Sequence, residues 1–312
     1  MDGVVRMSPP DNDPVPAPAA FLIGPDPTGR SDVRCEHVCD LSDEDYQRYK
    51  TAERTLYDIV VAGVFTYVQG SLKVLETVWK GANAALASNE IRPNTDPHGA
   101  AIWNSQLRAA ALSLCTSVVY HQEQTYQDVC ERHGPNSDAH EKAKAIFGKL
   151  YDDHRAYRYL YGLRNVMVHD GMDAIALTAE AARDGSGQAL AVYDLLIDRS
   201  VMAGSAKLNR NLRDEFAPLD ENPSLLELLL EIALPLAEAS RELQDILHPD
   251  LTQACQAVIE FDDLFEERPG TRALVHRQSP EIRPGFRLSY TGIPPEAIHF
   301  ARAYRPSGSA DD

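Results

Sequence analysis

The sequence predicts a mainly α-helical protein: a helical bundle with a small β-hairpin inserted after the third helix and a short mixed extension at the C-terminal end. Three observations support this fold class. Apolar residues recur at helical spacing through several long stretches. Helix-start signals precede these stretches, and Gly or Pro follows them. The 312 residues are 44% hydrophobic and 25% charged, which is typical of a globular protein with a sizeable core.

The two ends of the chain are predicted to lie outside the bundle. Residues 1–40 contain seven prolines between Pro9 and Pro27, so little of this segment can form a core, and we expect a disordered, proline-rich tail. The bundle is assigned to 41–250. Residues 251–312 are interpreted as a C-terminal extension, helical at first and then made of short strands and loops.

The first helix is expected to begin at Ser42, which forms a capping-box pattern with Asp45. Its apolar periodicity continues to about Leu86, and so long a run favours a break near Gly63 or Gly70. The same periodicity predicts three further helices, at about 100–132, 138–168 and 223–247. The second of these three should end at Gly171.

A change of pattern follows the third helix. Apolar runs at 174–178 and 188–193 flank the turn sequence Asp184-Gly185-Ser186-Gly187, which predicts a β-hairpin around 173–199. The first of the two runs is also compatible with a helix.

The bulk numbers exclude several classes of protein. A net charge of −17 argues against broad, non-specific binding to nucleic acid or to anionic membranes, although it leaves room for a local basic site. We find no apolar stretch of about 18 residues and no leader-like N-terminus, so no membrane span is expected. Five cysteines, an odd and small number, fit free thiols in the cytoplasm.

The end of the third helix carries the most informative segment, Leu163-Arg164-Asn165-Val166-Met167-Val168-His169-Asp170-Gly171. On a wheel drawn for one continuous helix, Arg164 falls in the middle of an apolar stripe. An arginine in such a position needs a carboxylate, backbone carbonyls or an anion. Four carboxylates on other helices are candidate partners, and the sequence does not choose among Glu123, Asp128, Glu227 and Glu231.

The other side of the same wheel is polar. Arg155, Arg158, Asn165 and His169 fall there, away from Arg164. Arg164 and His169 can therefore meet only if the last helical turn unwinds or if a second subunit supplies one of them. A structural role, with Arg164 in a buried ion pair and His169 interacting with the helix dipole, is about as well supported by the spacing alone.

Arg164-Asn165-Val166-Met167-Val168-His169 resembles the R-x4–6-H motif of the HEPN superfamily, whose members favour a polar residue after the arginine, as Asn165 is here. The tyrosine-rich approach to the motif and the hairpin and final helix that follow it are also similar to HEPN-containing proteins. The resemblance covers roughly 42–250. Spacings within R-x4–6-H also occur at Arg92–His98 and Arg241–His248, but neither instance has Asn after the arginine.

The resemblance implies a metal-independent, cofactor-free ribonuclease that acts as a homodimer, such as a toxin held by an antitoxin or other partner protein, or a phage-defence effector. His169 would activate the ribose 2′-OH or protonate the leaving oxygen. Arg164 would bind the scissile phosphate, and Asn165 would orient it or the imidazole. Arg155 and Arg158 would guide the RNA. The alternative is a catalytically silent HEPN-like module for dimerisation or ligand binding, so the assignment as an enzyme stays open. A third reading is another helical family that shares the motif by chance.

One weaker signal concerns metals. Cys35, His37 and Cys39 could donate zinc ligands, with His133 as a distant fourth, but the spacing lacks the second Cys/His pair of standard zinc sites. We therefore assign no metal site and interpret the segment as a linker.

Overall fold

The computed structural model describes residues 2–6, 18–25, 33–92, 96–183, 185, 189–276 and 287–306, and these residues are mostly helical. The mainly α-helical fold class predicted from the sequence is confirmed at this level. The chain divides into two compact units, Met1–Gly63 with His248–Asp312, and Val64–Leu247. The compact helical unit therefore begins later than the predicted bundle of 41–250.

The described elements, in chain order, are β1 (Asp2–Arg6), β2 (Ala19–Gly24), β3 (Arg34–Asp40), α1 (Asp43–Val60), α2 (Val64–Ala87), α3 (Pro97–His133), α4 (Asp138–Asp153), α5 (Arg155–His169), a short 3-10 helix (Met172–Ala174), β4 (Ile175–Arg183), β5 (Ala189–Ile197), α6 (Arg199–Gly204), α7 (Arg210–Phe216), α8 (Leu225–Leu247), α9 (Leu251–Asp263), β6 (Thr271–Val275), β7 (Arg287–Ile293) and α10 (Pro295–Ala303).

The first unit is a five-stranded antiparallel sheet with helices packed on it. The strand order is β1-β7-β6-β2-β3, so two strands from the C-terminal part of the chain lie between strands from the N-terminal part. Alternate strand residues such as Leu22 and Leu274 pack with Leu56 of α1 and Phe261 of α9 in one buried cluster. This mixed α/β unit joins the N-terminal segment and the C-terminal extension, which the sequence treats as separate.

The N-terminal segment is the main correction to the predicted fold. The described residues of 1–40 include strands β1, β2 and β3 instead of a disordered tail. Ala19 is paired with Val275 and Ile23 with Thr271 in the antiparallel ladder. Because these partners are so distant in the sequence, the short apolar run at 19–23 is stabilised by pairing that local composition does not reveal.

The second unit, Val64–Leu247, is a helical bundle with the hairpin attached. Its buried cluster takes residues from α2 to α8 and from the hairpin. The hairpin of β4 and β5 is confirmed, with Ile175 opposite Ile197, whereas most of its predicted turn lies outside the described residues. Trp79 Nε1 of α2 donates to the Tyr193 carbonyl at 2.7 Å, and Asn83 Oδ1 accepts from the Tyr193 amide at 2.7 Å. These two bonds fix β5 against α2.

The predicted helix boundaries are confirmed in part. The long first run is broken at 61–63, as its length suggested, and a helix from Pro97 to His133 matches the second prediction closely. The third predicted helix is wrong in its continuity. His154 is extended (φ −117°, ψ 104°) and separates α4 from α5. A wheel drawn through 138–168 as one helix therefore places side chains in the wrong register on either side of His154.

Among the described helices, no single one is long and apolar enough to cross a bilayer. One consecutive pair, α1 with α2, meets the length and composition criteria only when the two are combined.

Candidate functional site

The predicted site lies on α5, a 15-residue helix in the second unit. Leu160, Leu163 and Val166 are fully buried, which fixes the inner side of α5 against the rest of the bundle. The outward side carries Tyr161, Arg164, Asn165, Val168 and His169, all half-buried or exposed. We refer to these five residues as the α5 strip.

The α5 strip corrects the sequence-based wheel. The apolar stripe predicted around Arg164 includes Tyr161 and Val168, but Val168 is 47% exposed and Tyr161 is half-buried. Counted within α5 alone, Arg164 and His169 lie about 140° apart around the axis, with Asn165 and Val168 between them. They therefore form the two edges of one outward strip instead of opposite sides of the helix.

Helix α5 keeps its regular geometry to its end. The Asp170 amide still donates to the Val166 carbonyl at 2.8 Å, and the Gly171 amide donates to the same oxygen at 3.1 Å. Ser205 Oγ donates to Asp170 Oδ2 at 2.5 Å, which anchors the residue after the helix. The last turn thus does not unwind, and within one chain Arg164 and His169 do not converge.

Arg164 is half-buried and lacks the predicted ion pair. Its Nη1 donates to Asn165 Oδ1 at 3.0 Å, while its Nε is buried without a partner. Among the described residues, none of the four candidate carboxylates pairs with Arg164, and Glu231 pairs instead with Arg155 at 3.1 Å. A buried donor without an acceptor costs about 1–3 kcal/mol. The guanidinium therefore retains a charge without a carboxylate and an Nε donor without an acceptor among the described residues.

Asn165 is positioned by its neighbour. It was predicted to orient either the histidine or a phosphate, but its Oδ1 accepts from Arg164 and so orients the guanidinium. The pairing of adjacent residues is possible because both side chains lie at the outward side of α5. The contact of Asn165 with the Arg164 guanidinium can be predicted from the sequence only when it is known which residues of α5 face outward.

Arg158 has a structural role that the sequence did not indicate. Its Nε and Nη2 donate to the two carboxylate oxygens of Glu215 at 3.2 and 3.3 Å. Its Nη1 donates to the carbonyls of Tyr151 at 2.7 Å and Asp152 at 2.9 Å. These carbonyls belong to the last turn of α4, so Arg158 satisfies acceptors that the helix end leaves open. The prediction that Arg158 guides RNA is not supported by this geometry.

Arg155 is arranged differently from Arg158. Its side chain is 64% exposed and pairs with Glu231 of α8, itself partly exposed. Such a pair contributes little and exchanges easily with other anions. Of the two arginines that were predicted to guide RNA, Arg155 is thus the one that remains accessible to a ligand.

The Cys-His-Cys segment lies in β3 of the first unit, where the prediction placed a linker. The register between β2 and β3 shifts after Ala20, at a bulge. Cys35 packs with the cluster on one side of the sheet, whereas Cys39 packs with the cluster on the other. His37 pairs with Asp40 at 2.9 Å. The two thiols therefore face different surroundings and do not form a common ligand set.

Comparisons with protein-family models, with curated proteins and with solved structures gave no match for this chain. The chemistry of the α5 strip therefore has to be argued from its own residues. The groups of the strip suit an anionic ester. The Arg164 guanidinium, oriented by the Asn165 amide, can bind the anion, and the exposed His169 imidazole can exchange a proton.

Proposed function

We propose that the protein is a metal-independent ribonuclease of the HEPN type that acts as a homodimer through the α5 strip. One observation carries this proposal. Arg164 is half-buried, has no carboxylate partner and no Nε acceptor among the described residues, and precedes the exposed His169 by five residues on the same helix. Charges at the edge of a core are normally paired. The unpaired positive charge of Arg164 on α5 favours a phosphate as its partner.

The proposed catalysis uses two copies of the chain. Arg164 and His169 border the same strip at an angle of about 140°, and α5 is regular throughout. If two strips pack around a two-fold axis near Val168, His169 of each copy approaches Arg164 of the other. The exposed Val168 side chain supplies apolar contact at the centre. In this arrangement the two groups would act on one phosphodiester.

In the proposed reaction, the imidazole of His169 takes the proton of the ribose 2′-OH, whose oxygen attacks the adjacent phosphorus. The bond from phosphorus to the 5′-oxygen breaks, and that oxygen receives a proton from the second imidazole of the dimer or from water. The products are a 2′,3′-cyclic phosphate and a 5′-hydroxyl. Arg164 stabilises the charge that accumulates on the non-bridging oxygens.

The first prediction concerns these two residues. His169→Ala should lower RNA cleavage by about 10²–10⁴-fold, because a general acid–base group is lost. Arg164→Ala should lower it by roughly 10²–10³-fold through loss of charge stabilisation. Cleavage is measured on a labelled single-stranded RNA in the presence of EDTA. Arg241→Ala, at an exposed arginine that is followed by a histidine within the R-x4–6-H spacing, is the control and should cleave normally.

The result is informative only if the fold and the dimer persist. Circular dichroism and sedimentation velocity of each variant supply that check. Full cleavage by His169→Ala would reject the mechanism, as would a wild type that cleaves none of a panel of structured and unstructured RNAs. If cleavage is confirmed, growth arrest on expression of the wild type but not of His169→Ala would support a toxin or defence role.

A second candidate is a catalytically silent module that dimerises or binds an anionic ligand. The observation in its favour is the wide angle between Arg164 and His169 within one chain, together with the contact of Arg164 to Asn165. This alternative predicts that His169→Ala leaves every property unchanged, whereas Arg164→Ala weakens anion binding alone.

A further inference from the structure

A cavity of about 360 Å³ lies between α3, α4 and α5, beside the α5 strip. Its volume is within the range of small-molecule sites, roughly 300–1,000 Å³. The side chains that shape it are Gln122, Tyr126, Lys144, Phe147, Tyr151 and Tyr161. Tyr161 belongs both to the cavity and to the α5 strip, so the two features are continuous.

The walls of the cavity are aromatic. The rings of Tyr151 and Tyr161 meet edge to face, with centroids 6.3 Å apart at 87°. Tyr126 and Phe147 meet in the same way, at 5.4 Å and 84°. Edge-to-face pairs hold each other in orientation while leaving ring faces available to a third, planar group. The walls are therefore suited to stacking.

A fixed polar group lies among these rings. The hydroxyl of the buried Tyr157 donates to Gln122 Oε1 at 2.9 Å, and Gln122 Nε2 donates to the Tyr126 hydroxyl at 3.2 Å. Burial raises the pKa of both tyrosines, so both hydroxyls keep their protons at neutral pH. The side-chain amide of Gln122 is thus held in place, and these two bonds use only one of its N–H groups and one lone pair of its oxygen. The Tyr126 hydroxyl keeps its own proton to donate.

Charged groups of both signs border the cavity. Lys144 and Asp152 line it and are exposed. The ammonium of Lys144 already pairs with Glu141 at 2.9 Å, an exposed pair that contributes little. A ligand that brings a phosphate to the rim can therefore recruit Lys144, while Asp152 can accept from an amino group.

Gly148 keeps the cavity open. It lies inside α4, where glycine is less favourable than alanine by about 0.5–1 kcal/mol. A Cβ built on Gly148 would meet nothing within 4 Å, so close packing does not explain the glycine. Because Gly148 lines the cavity, a larger side chain there would project into its volume.

We propose that this cavity binds one nucleobase, stacked on the tyrosine rings and hydrogen-bonded to the Gln122 amide. For an RNA strand, this inference rests on the proposed ribonuclease function. Tyr161 precedes Asn165 by four residues, about 6 Å along α5, so a strand with its base in the cavity would run its backbone along the α5 strip towards Arg164. The base bound there would give the cleavage a sequence preference at a position beside the scissile bond.

Gly148→Leu tests the cavity without removing any existing contact. The matched control is Gly70→Leu, at an exposed glycine inside α2 whose added Cβ would also meet nothing within 4 Å. Adenosine and uridine, which carry a base but no phosphate, are titrated into the full-length wild type and both variants and followed by NMR. Ribose 5-phosphate, which carries a phosphate but no base, serves as the second probe.

We expect Gly148→Leu to weaken binding of at least one nucleoside roughly tenfold or more, the size of one lost stacking contact. Gly70→Leu should bind as the wild type does, and binding of ribose 5-phosphate should be unchanged in both variants. Equal nucleoside binding by the wild type and Gly148→Leu would overturn the proposal, and so would the lack of binding of either nucleoside by the wild type.

A parallel measurement separates this cavity from the ribonuclease function. With RNA as substrate, Gly148→Leu should raise KM and leave kcat unchanged, because the base is held equally in the ground and transition states. Nucleoside binding that depends on Gly148 in a protein that cleaves no RNA would retain the cavity and reject the ribonuclease. Cleavage with an unchanged KM in Gly148→Leu, without Gly148-dependent nucleoside binding, would retain the ribonuclease and reject the nucleobase site.

Discussion

His121 illustrates how far one residue can depart from its behaviour in water. It lies in α3, is only 3% exposed, and its ring is 5.4 Å from those of both Phe65 and Phe147. Its Nδ1 is buried without a hydrogen-bond partner. Burial in this aromatic environment disfavours the charged imidazolium and lowers the pKa of His121 from 6.5 to about 4.

This burial predicts a pH dependence of stability. Between pH 6.5 and 4 the unfolded chain binds a proton at His121 and the folded protein does not, so the free energy of unfolding falls as the pH is lowered through that range. Above pH 6.5 the contribution is fully present. From pH 7 to pH 4.5 the wild type should lose about 2 kcal/mol more than His121→Leu, measured by urea denaturation at each pH.

His98→Leu, at an exposed histidine near the start of α3, is the control for this comparison and should lose as much stability as the wild type. Carboxylates also titrate in this range, but they are the same in all three proteins and cancel in the difference. An identical loss in the wild type and in His121→Leu would contradict the assigned burial.

At this residue scale, the sequence indicates which side chains matter better than it indicates what they contact. Arg164 was identified as an anomaly, and its half-buried, unpaired state agrees with that. Four carboxylates were candidates for its partner, but none of them pairs with Arg164 among the described residues, and Glu231 contacts Arg155 instead. Which of several carboxylates lies near an arginine depends on the rotation of two helices by a few tens of degrees, and a one-residue break such as that at His154 changes this rotation.

The junction between α4 and α5 is the feature at the scale of elements that positions the site. Asp152-Asp153-His154 contains neither Gly nor Pro, so no local signal predicts the break. The break is held by Arg158, whose guanidinium binds both the last carbonyls of α4 and Glu215 of α7. A long-range ion pair therefore decides where one helix ends and the next begins.

Arg158→Ala should consequently destabilise the protein by about 2–4 kcal/mol, because it leaves two carbonyls and the Glu215 carboxylate without their donor. The side chain is only 19% exposed, so solvent compensates little. Arg155→Ala is a matched control three residues earlier on α5, and its exposed pair should be worth at most about 0.5 kcal/mol. Chemical denaturation of both variants measures the difference, and equal values would refute this role of Arg158.

Elements with a strong local pattern were predicted well, and elements stabilised from a distance were not. The helices at 97–133 and 225–247 and the hairpin follow from periodicity and turn residues. Strands β2 and β3 were missed because the surrounding prolines suggested disorder and because the partner strand, β6, lies near the other end of the chain. The strand pairing that closes the sheet is non-local, and composition carries no information about it.

At the scale of the whole molecule, the buried clusters follow the division into two units. The large apolar cluster draws only on residues between Val68 and Leu243, and the clusters around the sheet draw only on residues before Gly63 or after His248. The α5 strip and the aromatic cavity are both built within Val64–Leu247. The proposed site thus needs no side chain from the sheet unit.

The last prediction follows from this division. A fragment of residues 64–247 should fold by itself, because it keeps its whole apolar cluster and the bonds from Arg132 and His133 to the carbonyls that end α8. We expect a helical circular dichroism spectrum and a cooperative thermal transition. Residues 1–63 alone should stay unfolded, because β2 then lacks β6 and β1 lacks β7. If full-length protein cleaves RNA and binds nucleosides, the 64–247 fragment should do both within a few fold, whereas a non-cooperative transition in this fragment would show that the helical unit depends on the sheet for its stability.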